Sequence, residues 1–225
     1  MKNQVKVAPS IISADMLNLS DEVRLLEEAG ADMIHIDTYP FIAFAFDYNE
    51  LSRLVIGTLL LDFLRRRTSL PLDVHLSVET TREMVERYID LGADIITFHP
   101  DVAFYPEEII QSIKDRGVEL GLATTISSDL SYIRKFSYHA DVILVVTANI
   151  NFSGMVRIDE AERRILDVQK IIGGRAEVAV DGGVDLKTAP HLVKAGATIL
   201  VTGKYLFKSS DYKEAITRLK NVCKV

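Results

Sequence analysis

The chain has 225 residues, 48% of them hydrophobic, which is enough to bury a large core; 32 acidic against 26 basic side chains leave a formal net charge of −6. That balance argues against a nucleic-acid surface, and a single cysteine, Cys223, excludes an internal disulfide or a thiolate metal site. The most apolar run, 54–64, is broken by Asp62 and too short to cross a bilayer, and Met1-Lys2-Asn3-Gln4 lacks the apolar core of a signal peptide; the expectation is a soluble cytoplasmic protein with no membrane or nucleic-acid partner.

Residues 5–12 predict a first strand and 20–29 an amphipathic helix. Gly30-Ala31-Asp32-Met33-Ile34-His35 then joins a helix end to a second strand. The same pattern returns in Gly92-Ala93-Asp94-Ile95-Ile96-Thr97, in His139-Ala140-Asp141-Val142-Ile143-Leu144 and in Gly196-Ala197-Thr198-Ile199-Leu200-Val201. Between these lie further strands at 72–76, 118–124 and 176–180. Amphipathic stretches predict the remaining helices at 49–67, 80–91, 106–116, 130–136, 159–172, 186–195 and 211–222. Arg65-Arg66-Arg67, the one cationic run, reads as the solvated end of the second helix. Glycines 30, 92, 117 and 196 fall where helix C-caps belong.

Strict alternation of near-continuous apolar strands with helices means a parallel sheet covered on its outer face. Eight such units in a chain of this size predict an α/β fold, a (βα)₈ TIM barrel occupying 1–225 as a single domain. An open doubly wound sheet is the alternative, but no G-x-G-x-x-G follows the first strand.

A barrel collects its chemistry at the C-terminal strand ends. Those ends carry Ser10 and Ser13, His35 and Asp37, His75, His99, Thr124 and Thr125, Thr147 and Asn149, Asp181, and Gly203 with Lys204. Three of the five histidines fall there. His35 and Asp37 are two apart on one strand and face the same way. With His75 and Asp181 they make two imidazoles and two carboxylates, a mixed set suited to one divalent metal ion: zinc, iron(II), manganese or cobalt. The metal-free alternative is a buried layer of hydrogen-bonded His–Asp pairs. Asp181 is followed by Gly182 and Gly183, whose backbone can turn sharply and present bare N–H groups to an anion.

Ala8-Pro9-Ser10-Ile11-Ile12-Ser13-Ala14-Asp15, His35-Ile36-Asp37, Leu72-Asp73-Val74-His75-Leu76 and Val180-Asp181-Gly182-Gly183 stand in that order along nearly the whole chain. Together they resemble the ribulose-phosphate 3-epimerase family, of the ribulose-phosphate-binding barrel type. The resemblance implies that His35, Asp37, His75 and Asp181 bind one divalent metal, and that Asp37 and Asp181 are opposed acid and base. It also implies epimerisation at C3 of a phosphorylated ketose, with Ser10, Gly182, Gly183 and Gly203 completing the substrate and phosphate contacts. Two carboxylates on opposite faces of one carbon suit that reaction, which removes a proton from one side and returns one to the other.

The walls of the site depart from the family pattern. The loop after His35-Ile36-Asp37 runs Thr38-Tyr39-Pro40-Phe41-Ile42-Ala43-Phe44-Ala45-Phe46, and three methionines of the family correspond to Tyr39, Ser77 and Val146. The phosphate lid after the sixth strand, 149–155, keeps one glycine, Gly154. A serine after the eighth strand is replaced by Lys204, a point charge for phosphate. The usual Asn-Pro after the fifth strand is Thr125-Ile126. A ketohexose-6-phosphate (allulose-type) 3-epimerase, whose pattern Phe98-His99-Pro100 resembles, and a catalytically silent phosphosugar-binding relative are therefore the alternatives. The aromatic loop 41–48 reads as a contact between subunits of a homo-oligomer, or else as a lid over the sugar.

Overall fold

The computed structural model describes residues 5–38, 57–148 and 157–222. Eight strands alternate with helices: β1 Lys6–Pro9, β2 Ile34–Thr38, β3 Leu72–Leu76, β4 Ile95–Phe98, β5 Glu119–Thr125, β6 Val142–Val146, β7 Glu177–Asp181 and β8 Ile199–Thr202. All pair in parallel in the order β1-β8-β7-β6-β5-β4-β3-β2. The two end strands meet at a Ser10–His35 bridge and at the Asp32 N–H, which donates to the Val7 carbonyl at 3.0 Å, so the sheet closes on itself. This is the predicted (βα)₈ barrel.

The outer ring comprises α1 Leu19–Ala29, α2 Gly57–Arg65, α3 Arg82–Asp90, α4 Pro106–Asp115, α5 Ser131–Phe136, α6 Ile158–Ile172, α7 Ala189–Ala195, α8 Lys204–Phe207 and α9 Tyr212–Lys220. Gly30 and Gly196 end α1 and α7 in the left-handed conformation. Two local departures from the sequence expectation stand out. The expected strand 5–12 stops at Pro9 and passes into a 3₁₀ turn at Ile11–Ser13, because an apolar run marks burial without distinguishing strand from buried turn. The four-residue α8 is too short to leave a periodicity. The predicted helix segment 49–56, the aromatic loop 41–48 and the lid 149–155 with Gly154 lie outside the described residues.

Strand alternation divides the core in two. Outward residues such as Ile34, Ile36, Val74, Ile96, Val178 and Leu200 pack against Leu26, Leu61, Ile109, Ile165 and Leu192 of the helices. Inside the ring, Ala8, Met33, Ile95, Ala123, Val142, Leu144, Val146, Ala179, Ile199 and Val201 form an apolar plug. Above Met33 and Ile95, the inward positions on β2 to β4 are instead His35, Asp37, Asp73, His75 and Thr97, all buried. The barrel interior is thus apolar on one side and polar on the other.

The four-fold sequence pattern has a structural cause. Asp32, Asp94, Asp141 and Thr198 stand at the starts of the even strands. Their side-chain oxygens accept the N–H groups of Val7, Leu72, Leu120 and Val178 on the odd strands, at 2.7, 2.8, 2.7 and 3.1 Å. Each returns its own backbone N–H to the carbonyl of that same residue. The three carboxylates also meet Lys220, Arg65 and Lys114 at 2.7, 2.8 and 2.6 Å. The repeat therefore satisfies strand ends at the barrel floor, away from the catalytic face. Arg65 corrects the reading of the arginine run as a solvated helix end: its guanidinium also reaches the carbonyls of Gly92 and Leu70, while Arg66 pairs with Asp62 on its own helix and Arg67 lies over Phe63 and donates to the Ser20 hydroxyl of α1. Among the described residues no helix is long and apolar enough to cross a membrane.

Candidate metal centre

β2 carries His35 and Asp37 into the barrel mouth, β3 carries His75, and β7 carries Asp181. One ligand atom from each lies within 4.8 Å of all the others. Asp37 is the hub. Its Oδ1 lies 3.2 Å from His35 Nε2 and 3.0 Å from His75 Nδ1, and its Oδ2 accepts the Ser10 hydroxyl at 2.8 Å. Ser10, expected as a substrate contact, is thereby engaged with Asp37. Asp181 is anchored through its main chain: the Thr147 N–H donates to its carbonyl at 2.7 Å, and the Thr147 hydroxyl lies 2.9 and 2.7 Å from the Asp181 and Gly182 carbonyls.

A second layer surrounds the histidines. His35 Nδ1 lies 2.7 Å from Asp73 Oδ2, and Asp73 Oδ1 accepts the Thr97 hydroxyl at 2.8 Å. His75 Nε2 lies 3.0 Å from His99 Nε2. Asp73 and Thr97 were not among the residues expected at the site. The signal was present in the sequence, since Asp73 stands two before His75 on one strand, the same spacing that paired His35 with Asp37.

The environment splits the two carboxylates. Burial works to raise Asp37, but the charges and hydrogen bonds of His35 and His75 overcome it and hold this carboxyl far below the ordinary range. Asp181 moves the other way: burial, then the nearby negative charge of Asp37, pushes it up to about 6. His35 is opposed by burial yet raised well above its ordinary value by Asp37 and Asp73. Burial, then His75, pushes His99 down to about 3, so it is neutral near pH 7. A neutral His99 can accept an N–H from His75 Nε2, which leaves His75 Nδ1 as the nitrogen that faces Asp37.

The donor set fits a metal. Two imidazole nitrogens and two carboxylates converge, each imidazole has its other nitrogen engaged by a neighbouring side chain, and borderline divalent ions favour such mixed N/O ligands.

The remaining expected residues border this centre on the adjacent strands β7 and β8. Gly182 has φ +115°, and a Cβ there would lie 2.2 Å from the Ala148 backbone nitrogen, so no side chain fits. Gly183 is exposed beside it. Gly203 packs against Ser13, whose Oγ would be 2.5 Å from an added Cβ, and Lys204 is exposed at the start of α8.

Comparison with known proteins identifies the family. The model of the ribulose-phosphate 3 epimerase family matches residues 6–207. Ribulose-phosphate 3-epimerase of Bacillus subtilis is 34% identical over 220 residues, covering 96% of this chain and 98% of the relative. The Escherichia coli protein of that name is 32% identical over 222 residues, covering 97% and 96%. Among solved structures, orotidine 5′-phosphate decarboxylase from Pyrococcus horikoshii superposes with a TM-score of 0.67 at 13% identity, covering 97% of this chain and 99% of that one, a likeness of fold alone. With the family motifs in place on the strand ends of a closed barrel, the chain belongs to the ribulose-phosphate 3-epimerase family, and with it to the epimerases, which are isomerases.

Proposed function

We propose that this protein inverts the carbon next to the ketone of a phosphorylated ketose, C3 of ribulose 5-phosphate or a close analogue, by two-base proton transfer. The observation that carries the reading is the pair Asp37 and Asp181. They come from β2 and β7, three strands apart around the ring, and converge on one centre with opposite protonation tendencies. Asp37, ionised and braced by Ser10, is the base that takes the proton from one face. Asp181, pushed up to about 6, takes up a proton more readily than Asp37 and can deliver one to the other face. In the reverse direction the roles exchange. The polar sector on β2 to β4 orients the reacting carbons, and the apolar plug below limits water from beneath.

His35, Asp37, His75 and Asp181 would hold one divalent ion, which when bound polarises the ketone and offsets the negative charge that develops on deprotonation. Gly182, Gly183 and Gly203, with the exposed Lys204, would receive the substrate phosphate through backbone N–H groups and one cation. Gly154, outside the described residues, belongs to the same proposed phosphate site by sequence.

The test is exchange in D₂O, read by proton NMR, on a panel of ketose pentose and hexose phosphates. Deuterium should enter at the carbon beside the ketone in the product. Asp37→Asn and Asp181→Asn should each lower the rate by at least ~10²-fold, the usual contribution of one general acid or base. Epimerisation at the parental rate in either variant would rule out two-base transfer.

A further inference from the structure

We propose that Asp73 is a positioning residue for the metal centre: it holds the His35 ring in the orientation and tautomer that turn Nε2 toward Asp37, His75 and Asp181. It deepens the metal-site reading, on which it rests.

Asp73 on β3 is the register partner of His35 on β2, and it is only 5% exposed. Both its oxygens are committed, Oδ2 to His35 Nδ1 at 2.7 Å and Oδ1 to the Thr97 hydroxyl at 2.8 Å. An ionised carboxylate only accepts, so the hydrogen on this contact sits on His35 Nδ1. With Nδ1 committed to Asp73, the nitrogen that gives up its proton to a cation is Nε2, which lies 3.2 Å from Asp37 Oδ1. Without Asp73 either nitrogen could carry the hydrogen, and the ring would lose the contact that sets its rotation.

The bracing continues across two more strands. Thr97 on β4 is the register partner of Gly121 on β5, where a Cβ would lie 2.1 Å from Thr97 Oγ1 and 3.0 Å from the Thr97 Cα. The space at Gly121 is what lets Thr97 point its hydroxyl at Asp73. Four neighbouring strands therefore contribute successive links, Gly121, Thr97, Asp73 and His35. The arrangement at His75 differs, since its outer partner is the neutral imidazole of His99. Asp73 makes His35 the histidine with an anionic brace, and the more electron-rich of the two toward a cation.

The test uses metal-stripped full-length protein titrated with Co(II), reading the visible absorption bands, with ¹⁵N shifts of the His35 ring in the protein loaded with diamagnetic Zn(II) as a second readout. The parent should bind Co(II) with a single His35 tautomer protonated on Nδ1. Asp73→Val should raise the Co(II) dissociation constant by about 10–100-fold, the usual effect of losing such a partner, and mix the tautomers. Asp73→Asn, which retains an oxygen acceptor, should recover part of that loss. Thr97→Val leaves the carboxylate but frees one of its oxygens, and should weaken binding in the same direction by less; it decides the matter if Asp73→Val fails to fold. Folded Asp73→Val, or in its place Thr97→Val, with parental affinity, bands and ¹⁵N shifts would overturn the role of Asp73. A parent that binds no Co(II) would instead overturn the metal reading itself.

Discussion

Replacing Asp181 with Asn should stabilise the metal-free protein above neutral pH while removing its stabilisation by metal. Burial, then the charge of Asp37, raises the Asp181 carboxyl from the ordinary 3.8 to about 6. The folded chain therefore holds this proton more tightly than the unfolded chain does. The stability it contributes is fully present below pH 3.8 and is lost as pH rises through about 6. A shift of about two units at ~1.4 kcal/mol each corresponds to a loss of ~3 kcal/mol once the group is ionised. Asp181 keeps a partial opening to solvent at the barrel mouth although its carboxyl is ringed by protein, so that figure is a ceiling. Asn has the same shape and no proton to lose. Urea unfolding of both proteins in chelator, at pH 4.5 and pH 8, isolates the effect, because every other titrating group is common to the two. The advantage of Asp181→Asn should widen by ~2 kcal/mol between those pH values. On adding excess Co(II), the parent should gain stability by mass action while the variant gains little. An advantage that stays constant with pH, or shrinks as pH rises, would refute the assignment of the strained charge to Asp181.

Gly182→Ala should cost at least ~1–3 kcal/mol, because a side chain at positive φ would also collide with the Ala148 backbone; an unchanged thermal midpoint would contradict that geometry. Asp94→Ala should cost ~1–3 kcal/mol by leaving the Leu72 N–H and Arg65 without their partner, and should leave Co(II) affinity unchanged because the residue lies at the barrel floor. Weakened metal binding in that variant would mean that floor and mouth are coupled.

The fold was legible because its causes are local. Eight apolar runs alternating with amphipathic stretches specify strands and covering helices, and the Ala-Asp pairs at 31–32, 93–94 and 140–141 mark where three of the four even strands accept an N–H from the strand before them. His35, Asp37, His75 and Asp181 could be picked out because alternation along a strand fixes which side chains share a face. What alternation cannot supply is the approach of β2 to β7, which are 143 residues apart between Ile34 and Glu177 and meet only when the ring closes. Neither could it assign Ser10 to Asp37, His99 to His75 or Asp73 to His35, since each contact depends on the stagger between neighbouring strands. The opposed shifts of Asp37 and Asp181 belong to the tertiary structure for the same reason. A carboxylate's affinity for its proton is set by which charges surround it and how much water remains, and both are properties of the closed barrel.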